Sequence, residues 1–201
     1  RDDPRLAAVY RRYEQNLSAI IRQVQRSGAR VILSTVAVNL SDCPPSLSVN
    51  RRDLGAADRT AWQASFNQGW AAARAGNWAE ALDLFERARA VDDQPAELQY
   101  GIGLAQRALG RREEAETSFV RALDLDAFRY RTDSAMNQIV RRLAGGSVEL
   151  VDAAASFRDH PTYEDRDLFI DHVHFSFAGA ALLARVWADQ LRPAAAGAAD
   201  E

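Results

Sequence analysis

Hydrophobic positions near the start of the chain change period once. Leu6, Val9, Tyr10, Tyr13, Leu17, Ile20, Ile21 and Val24 recur at the spacing of one helix face. Asp2-Asp3-Pro4 suits a helix start, and Ser27-Gly28 ends the pattern. Val31-Ile32-Leu33-Ser34-Thr35-Val36-Ala37-Val38 is then almost continuously apolar and β-branched. That predicts a strand buried on both faces, as in parallel sheets. Helix, glycine turn and buried strand make half of an α/β unit. From Asn39 to Asp58 the pattern breaks, because Ser41-Asp42-Cys43-Pro44-Pro45-Ser46 can continue neither a strand nor a helix. This reads as a loop at the C-terminal end of a parallel strand, where open α/β sheets place their ligands.

Residues 61 to 126 repeat themselves. Gly69, Gly76, Ala81, Phe85 and Ala88 recur as Gly103, Gly110, Ala115, Phe119 and Ala122, each pair 34 apart. Glu80/Glu114, Arg87/Arg121 and Asp92/Asp126 keep the same register. Such a unit is a helix-turn-helix: small residues sit where the paired helices approach, Phe fills the groove, and Gly turns the chain. Spacing and residue pattern resemble the tetratricopeptide repeat. Two copies are fewer than the three or so usually needed to stand alone, so they are expected to lean on the flanking domain.

After the repeats, Met136, Ile139, Val140 and Leu143 share a helix face that Gly145-Gly146 ends. Val148 to Asp152 predicts a second short strand, and a loop of acids, Pro161 and aromatics follows. Ala180 to Leu191 is an amphipathic helix, and the Ala/Gly/acid-rich tail 193–201 reads as disordered. The expected organisation is a split α/β domain, 1–58 with 128–192, interrupted by helical repeats at 59–127.

Composition narrows the classes. A net charge of −3 and pI near 5.7 give no basic footprint for nucleic acid or an anionic membrane. Lys is absent and Arg common, which points to a GC-rich coding sequence more than to a binding site. Cys43 is the one cysteine, so no intrachain disulfide forms. No window reaches the roughly 18 apolar residues of a membrane span. The chain begins with Arg1 rather than Met, so a missing N-terminal portion is expected, and localisation, cytoplasmic, exported or membrane-anchored, stays open.

The candidate chemistry lies in Leu168-Phe169-Ile170-Asp171-His172-Val173-His174-Phe175-Ser176-Phe177-Ala178-Gly179. Asp171 and His174 are three residues apart, which places both on one side of a tight turn. A carboxylate beside an imidazole fixes its tautomer and stabilises the imidazolium, as a general base needs. Asp171-His172-Val173-His174, with Gly179 after it and the Val148–Asp152 strand before it, resembles the last block of an SGNH (GDSL-like) hydrolase. The inserted repeats and the Thr-Val-x-x-Asn-Leu-x-Asp-Cys-Pro-Pro loop resemble a bacterial subgroup of that family carrying such repeats. The resemblance implies a partial three-layer, flavodoxin-like parallel sheet with a tetratricopeptide insertion. It also implies a serine esterase or acyl hydrolase in which Asp171 orients His174 and His174 activates a serine. Its substrate would be a small-molecule ester or an acylated glycan or lipid. The family's Gly-Asp-Ser nucleophile block and Gly-x-Asn block do not occur here, so the chain would supply only the Asp–His half, as a fragment of the enzyme.

Other residues have lesser claims. Ser34, Thr35 and Asn39, at the end of the first strand, are candidate substrate contacts or ordinary strand-end polarity. His172 with His174 could form a His-x-His metal pair with His160, Asp165 or Asp167 nearby. Cys43 could serve as a thiol nucleophile. Arg129, Arg131 and Asn137 could offer an anion site or be solvated. No metal or organic cofactor is implied. The alternative function is a non-catalytic interaction module whose repeats bind a protein partner.

Overall fold

The computed structural model describes residues 4–160 and 164–191. The expected helix start at Asp2-Asp3, Pro161 in its loop and the expected disordered tail 193–201 lie outside the described residues. Eleven elements follow in chain order. They are α1 (Pro4–Arg26), β1 (Val31–Ser34), α2 (Ala56–Arg74), α3 (Trp78–Val91), α4 (Ala96–Ala108) and α5 (Arg112–Leu125), then α6 (Ser134–Leu143), β2 (Val148–Val151), α7 (Ala153–Arg158), α8 (Asp165–Leu168) and α9 (Phe177–Leu191). The described residues divide into two compact units, one spanning Leu40–Ser134 and one built from the segments on either side of it.

The first unit is two helical hairpins, α2 with α3 and α4 with α5, joined by packing of α3 on α4. Both hairpins turn in the same way. Gly76 and Gly110 take φ of +80° and +77°, where a side chain would strain the backbone. The next residue's N–H then reaches back over the helix end, Asn77 to Ala72 O and Arg111 to Gln106 O, each at 2.9 Å. Phe85 is fully buried against two glycine backbones: a Cβ at Gly69 would lie 2.7 Å from its ring, and one at Gly101 2.9 Å. Phe119 repeats the arrangement, 2.7 Å from a Cβ built on Gly103. Trp62, Phe66, Leu82, Leu98 and Ile102 complete a core internal to this unit.

The segment 40–54 also belongs to this unit. It is the stretch expected to be a ligand-bearing loop of a sheet edge. Instead its backbone is tied to the repeats. Tyr100 donates its hydroxyl to Ser41 O at 2.9 Å, Asp126 accepts from the amides of Ser46 and Leu47, and Asp92 accepts from that of Arg51.

In the second unit, β1 and β2 pair in parallel, Val31 opposite Val148 through Ser34 opposite Val151. They are the whole sheet among the described residues. The three-layer, flavodoxin-like α/β sheet expected from the sequence is therefore not the fold: helices dominate, and the sheet has two strands. Two residues beyond β1 the backbone is paired by a side chain. Asn137 of α6 accepts the Val36 N–H and donates to the Val36 carbonyl, each at 2.9 Å, so a side-chain amide takes the place of a strand neighbour. Within β1 only Val31 is buried, so the strand is not buried on both faces as its composition predicts. Two small cores serve this unit. Ile21, Val31 and Val148 pack together, and Ala37, Phe157, Leu168, Phe169 and Leu182 form the other.

Candidate functional site

The Asp171–His174 loop stands on a buried base. Leu168 and Phe169 are buried, and Phe157, Phe169 and Phe175 meet with ring centroids 5.1 to 5.6 Å apart. The Ile170 N–H donates to His174 O at 2.8 Å and the Ser176 N–H to Leu168 O at 2.9 Å, which closes a tight loop. Within it Asp171 turns back on its own backbone. Its Oδ1 accepts the N–H groups of Val173 and His174, both at 2.9 Å, and its Oδ2 lies 2.8 Å from His174 Nδ1. Those two backbone donors, and then the imidazole, hold the Asp171 carboxyl well below the usual carboxylate range. A carboxylate only accepts, so Nδ1 carries the proton toward Asp171 and Nε2 is the ring nitrogen left for other contacts. The His174 side chain is 76% exposed, so that nitrogen faces solvent.

The remaining sequence candidates go elsewhere. Asn39 donates from Nδ2 to Asp171 O at 3.2 Å, and its N–H reaches His172 O at 3.0 Å, so it braces the loop from its backbone. Thr35 is buried, donates to Asp152 Oδ1 at 2.8 Å and accepts from the Ala154 N–H at 2.9 Å. Ser34 Oγ donates to Thr35 O at 2.9 Å. Asp152 also receives Arg141 through two hydrogen bonds of 2.7 and 2.9 Å and caps α7 through Ala155. The Arg141 guanidinium, with Thr35 and the Ala155 amide, lowers its carboxyl to about 2. No three His, Cys, Asp or Glu side chains are grouped to hold a metal among the described residues. Arg131 pairs with Asp126 at 3.1 Å and Arg129 with Asp133 at 2.9 Å, so both work inside the repeat unit.

The glycine that follows the histidine has a local cause. A Cβ at Gly179 would lie 2.0 Å from the Leu168 carbonyl oxygen, so α9 crosses that backbone only where a side chain is absent. Ser176 caps the same helix, accepting the Gly179 N–H at 3.1 Å. Packing of α9 on its preceding segment thus fixes the spacing that resembled a hydrolase block.

A second candidate lies in the repeat unit. A groove of about 540 Å³ is lined by Phe66, Trp70, Arg74, Tyr100 and Leu104, with Pro44 at its wall. Phe66 and Tyr100 are equivalent positions of successive copies, as are Trp70 and Leu104. They were legible in principle, since both pairs are apolar in the 34-residue register without being identical. Burial pushes the Tyr100 hydroxyl up to about 12, which keeps it a donor. Trp70 Nε1 is buried without a hydrogen-bond partner.

Comparison with known proteins decides between the two readings of the sequence. The tetratricopeptide repeat family model matches residues 54–95 and 66–131. No curated protein and no solved structure matches the chain. The resemblance to an SGNH or GDSL-like serine hydrolase is thereby overturned, together with the two-stranded sheet's failure to be that family's fold. The esterase activity and the ester, acylated glycan or lipid substrate that it implied go with it. Among the described residues no helix is long and apolar enough to cross a membrane. Residues 54–131 are tetratricopeptide repeats, and they make this unit a protein-interaction module.

Proposed function

We propose that the repeat unit binds an extended segment of a partner protein along the groove of α2 and α4. The observation that carries this is the groove itself: apolar at Phe66, Trp70, Tyr100 and Leu104, with Asn67, Arg74 and Glu97 as its polar groups. Aromatic walls with a few placed polar groups are what a peptide groove needs. A peptide selected against the full chain from a random library should lose tenfold or more in affinity on Arg74→Glu, and several-fold on Trp70→Phe, which removes the indole N–H together with part of the aromatic wall. Affinity unchanged in both variants, with helicity retained, would sink the reading.

A second reading concerns the other unit and rests on the 2.8 Å Asp171–His174 contact. We propose that the pair works as a general base, Asp171 fixing the tautomer and His174 Nε2 taking the proton. Asn39 keeps the loop in place, and Ser34 and Thr35 have no part in the proposal. Acylation of His174 by diethyl pyrocarbonate should slow at least threefold in Asp171→Asn. An equal rate in both proteins would show that the carboxylate does not tune the ring.

A further inference from the structure

Leu40–Arg51 lies along the repeats, and what holds it there is written into the repeat. Asp92 and Asp126 are the same position in successive copies, 34 residues apart, each directly following the second helix of its hairpin. Both are buried. Asp126 accepts the N–H groups of Ser46 and Leu47 at 2.9 and 3.0 Å. Asp92 accepts the Arg51 N–H at 3.0 Å and the Asn50 side-chain amide at 2.8 Å. The two carboxylates are therefore rungs, and one repeat advances the bound segment by four residues. The segment runs against the repeat order, its earlier residues on the later copy.

Between and before the rungs the contacts are of the same kind. The Ala127 N–H donates to Leu47 O at 2.9 Å, the Glu97 N–H to Ser48 Oγ at 3.1 Å, and the Tyr100 hydroxyl to Ser41 O at 2.9 Å. Most of these go to the main chain of the segment. Meanwhile Leu47 and Val49 each remain 48% exposed. Leu40 packs on the Tyr100–Phe119 cluster and Asp42 pairs with Arg107, but from Ser46 to Arg51 the stretch is held by backbone recognition more than by apolar burial. That is how a surface holds an added peptide, and it marks a segment of low local stability. The Asp126 carboxylate also has Arg131 at 3.1 Å, which keeps its charge paired when the amides leave.

We propose that residues 40–51 are a resident peptide on a peptide-binding strip formed by Asp92, Asp126 and their flanking backbone, and that the strip takes extended segments in trans once the resident is released. Its specificity is for an extended chain with free N–H groups at two sites four residues apart, and proline at either site is excluded. Because the resident also supplies Pro44 to the groove and takes the Tyr100 hydroxyl, its release remodels the groove. The inference does not rest on a partner occupying that groove, since the probe is the chain's own sequence.

The test uses the full chain carrying Leu47→Pro and Arg51→Pro, which removes one N–H from each rung and leaves the repeats untouched. A labelled synthetic peptide of residues 40–51, with Cys43→Ser, is titrated into it and into the unaltered protein. The variant should bind the peptide at least tenfold more tightly, and adding Asp92→Asn and Asp126→Asn should cut that binding at least tenfold. Hydrogen exchange should show the Leu47 and Arg51 amides protected in the unaltered protein. Equal binding by both proteins overturns the proposal, as does peptide binding indifferent to the aspartates. Loss of helicity in the proline variant overturns it too, because the segment would then be an inseparable part of the fold.

Discussion

The two units solve the same problem, burial of apolar helix faces, by different means. In the repeat unit several of the packing contacts are specified twice. Phe85 against Gly69 is Phe119 against Gly103, and the Gly76 turn is the Gly110 turn. In the other unit the decisive contacts occur once. Asn137 grips Val36, Asp152 gathers Thr35 and Arg141, and Gly179 lets α9 cross the Leu168 carbonyl. Repetition buries large aromatics against absent side chains. The single-copy unit has smaller cores and relies on polar pins whose removal leaves part-buried backbone groups without those partners.

The sharpest way to break this contrast is at Phe85, which is fully buried between two glycines. Phe85→Ala should cost about 3–5 kcal/mol, because the rigid glycine walls cannot collapse into the space. Chemical denaturation followed by far-UV circular dichroism measures it. A loss near 1 kcal/mol would mean the repeat core is more plastic than its geometry. Gly179→Ala probes the other unit. A Cβ there meets backbone rather than a mobile side chain, so the cost should be about 3 kcal/mol, the upper end of overpacking. Hydrogen exchange should register it in α8 and α9, leaving amides of α3 and α4 protected. Asn137→Ala comes next, at about 2 kcal/mol, since it strips partners from the N–H and C=O of Val36 together. Raised exchange at the Val36 amide is its signature, and an unchanged rate there would show that Asn137 is dispensable.

The same contrast governs what the sequence could show. The helical repeats were readable because Gly69, Phe85 and Ala88 return 34 residues later, and a period is visible without knowing any contact. The Asp92/Asp126 register was visible too, though its partners were not, since they lie on a segment whose prolines and polar residues read as an ordinary loop. The short parallel pair was likewise legible in the β-branched composition of its strands. Its end was not: nothing in Val36-Ala37-Val38 reveals that an asparagine about 100 residues later takes up the Val36 backbone. The Asp171–His174 spacing did place the two side chains together, at 2.8 Å. It could not carry a family assignment, because Gly179 and Ser176 owe their positions to helix packing and capping. A motif of a few residues that local geometry already requires is weak testimony about chemistry.

The smallest expected effect is in acid, and it falls on the polar pins. Asp152 joins β2, α7 and α6, with its carboxyl lowered from 3.8 to about 2, chiefly by Arg141. A carboxyl depressed in the folded state contributes stability that is fully present above its unfolded value and is lost as pH falls through the folded one. The window is therefore about 4 down to 2. Across it the amides of β1 and β2 should lose protection progressively, and Arg141→Met should flatten that loss by removing the largest cause of the shift. Partial exposure of both side chains screens the pair, so the change should be modest beside the Phe85 and Gly179 effects. If Arg141→Met left the acid dependence of the β1 amides unaltered, the pin would be ornamental, and the second unit would owe its order to its small apolar cores alone.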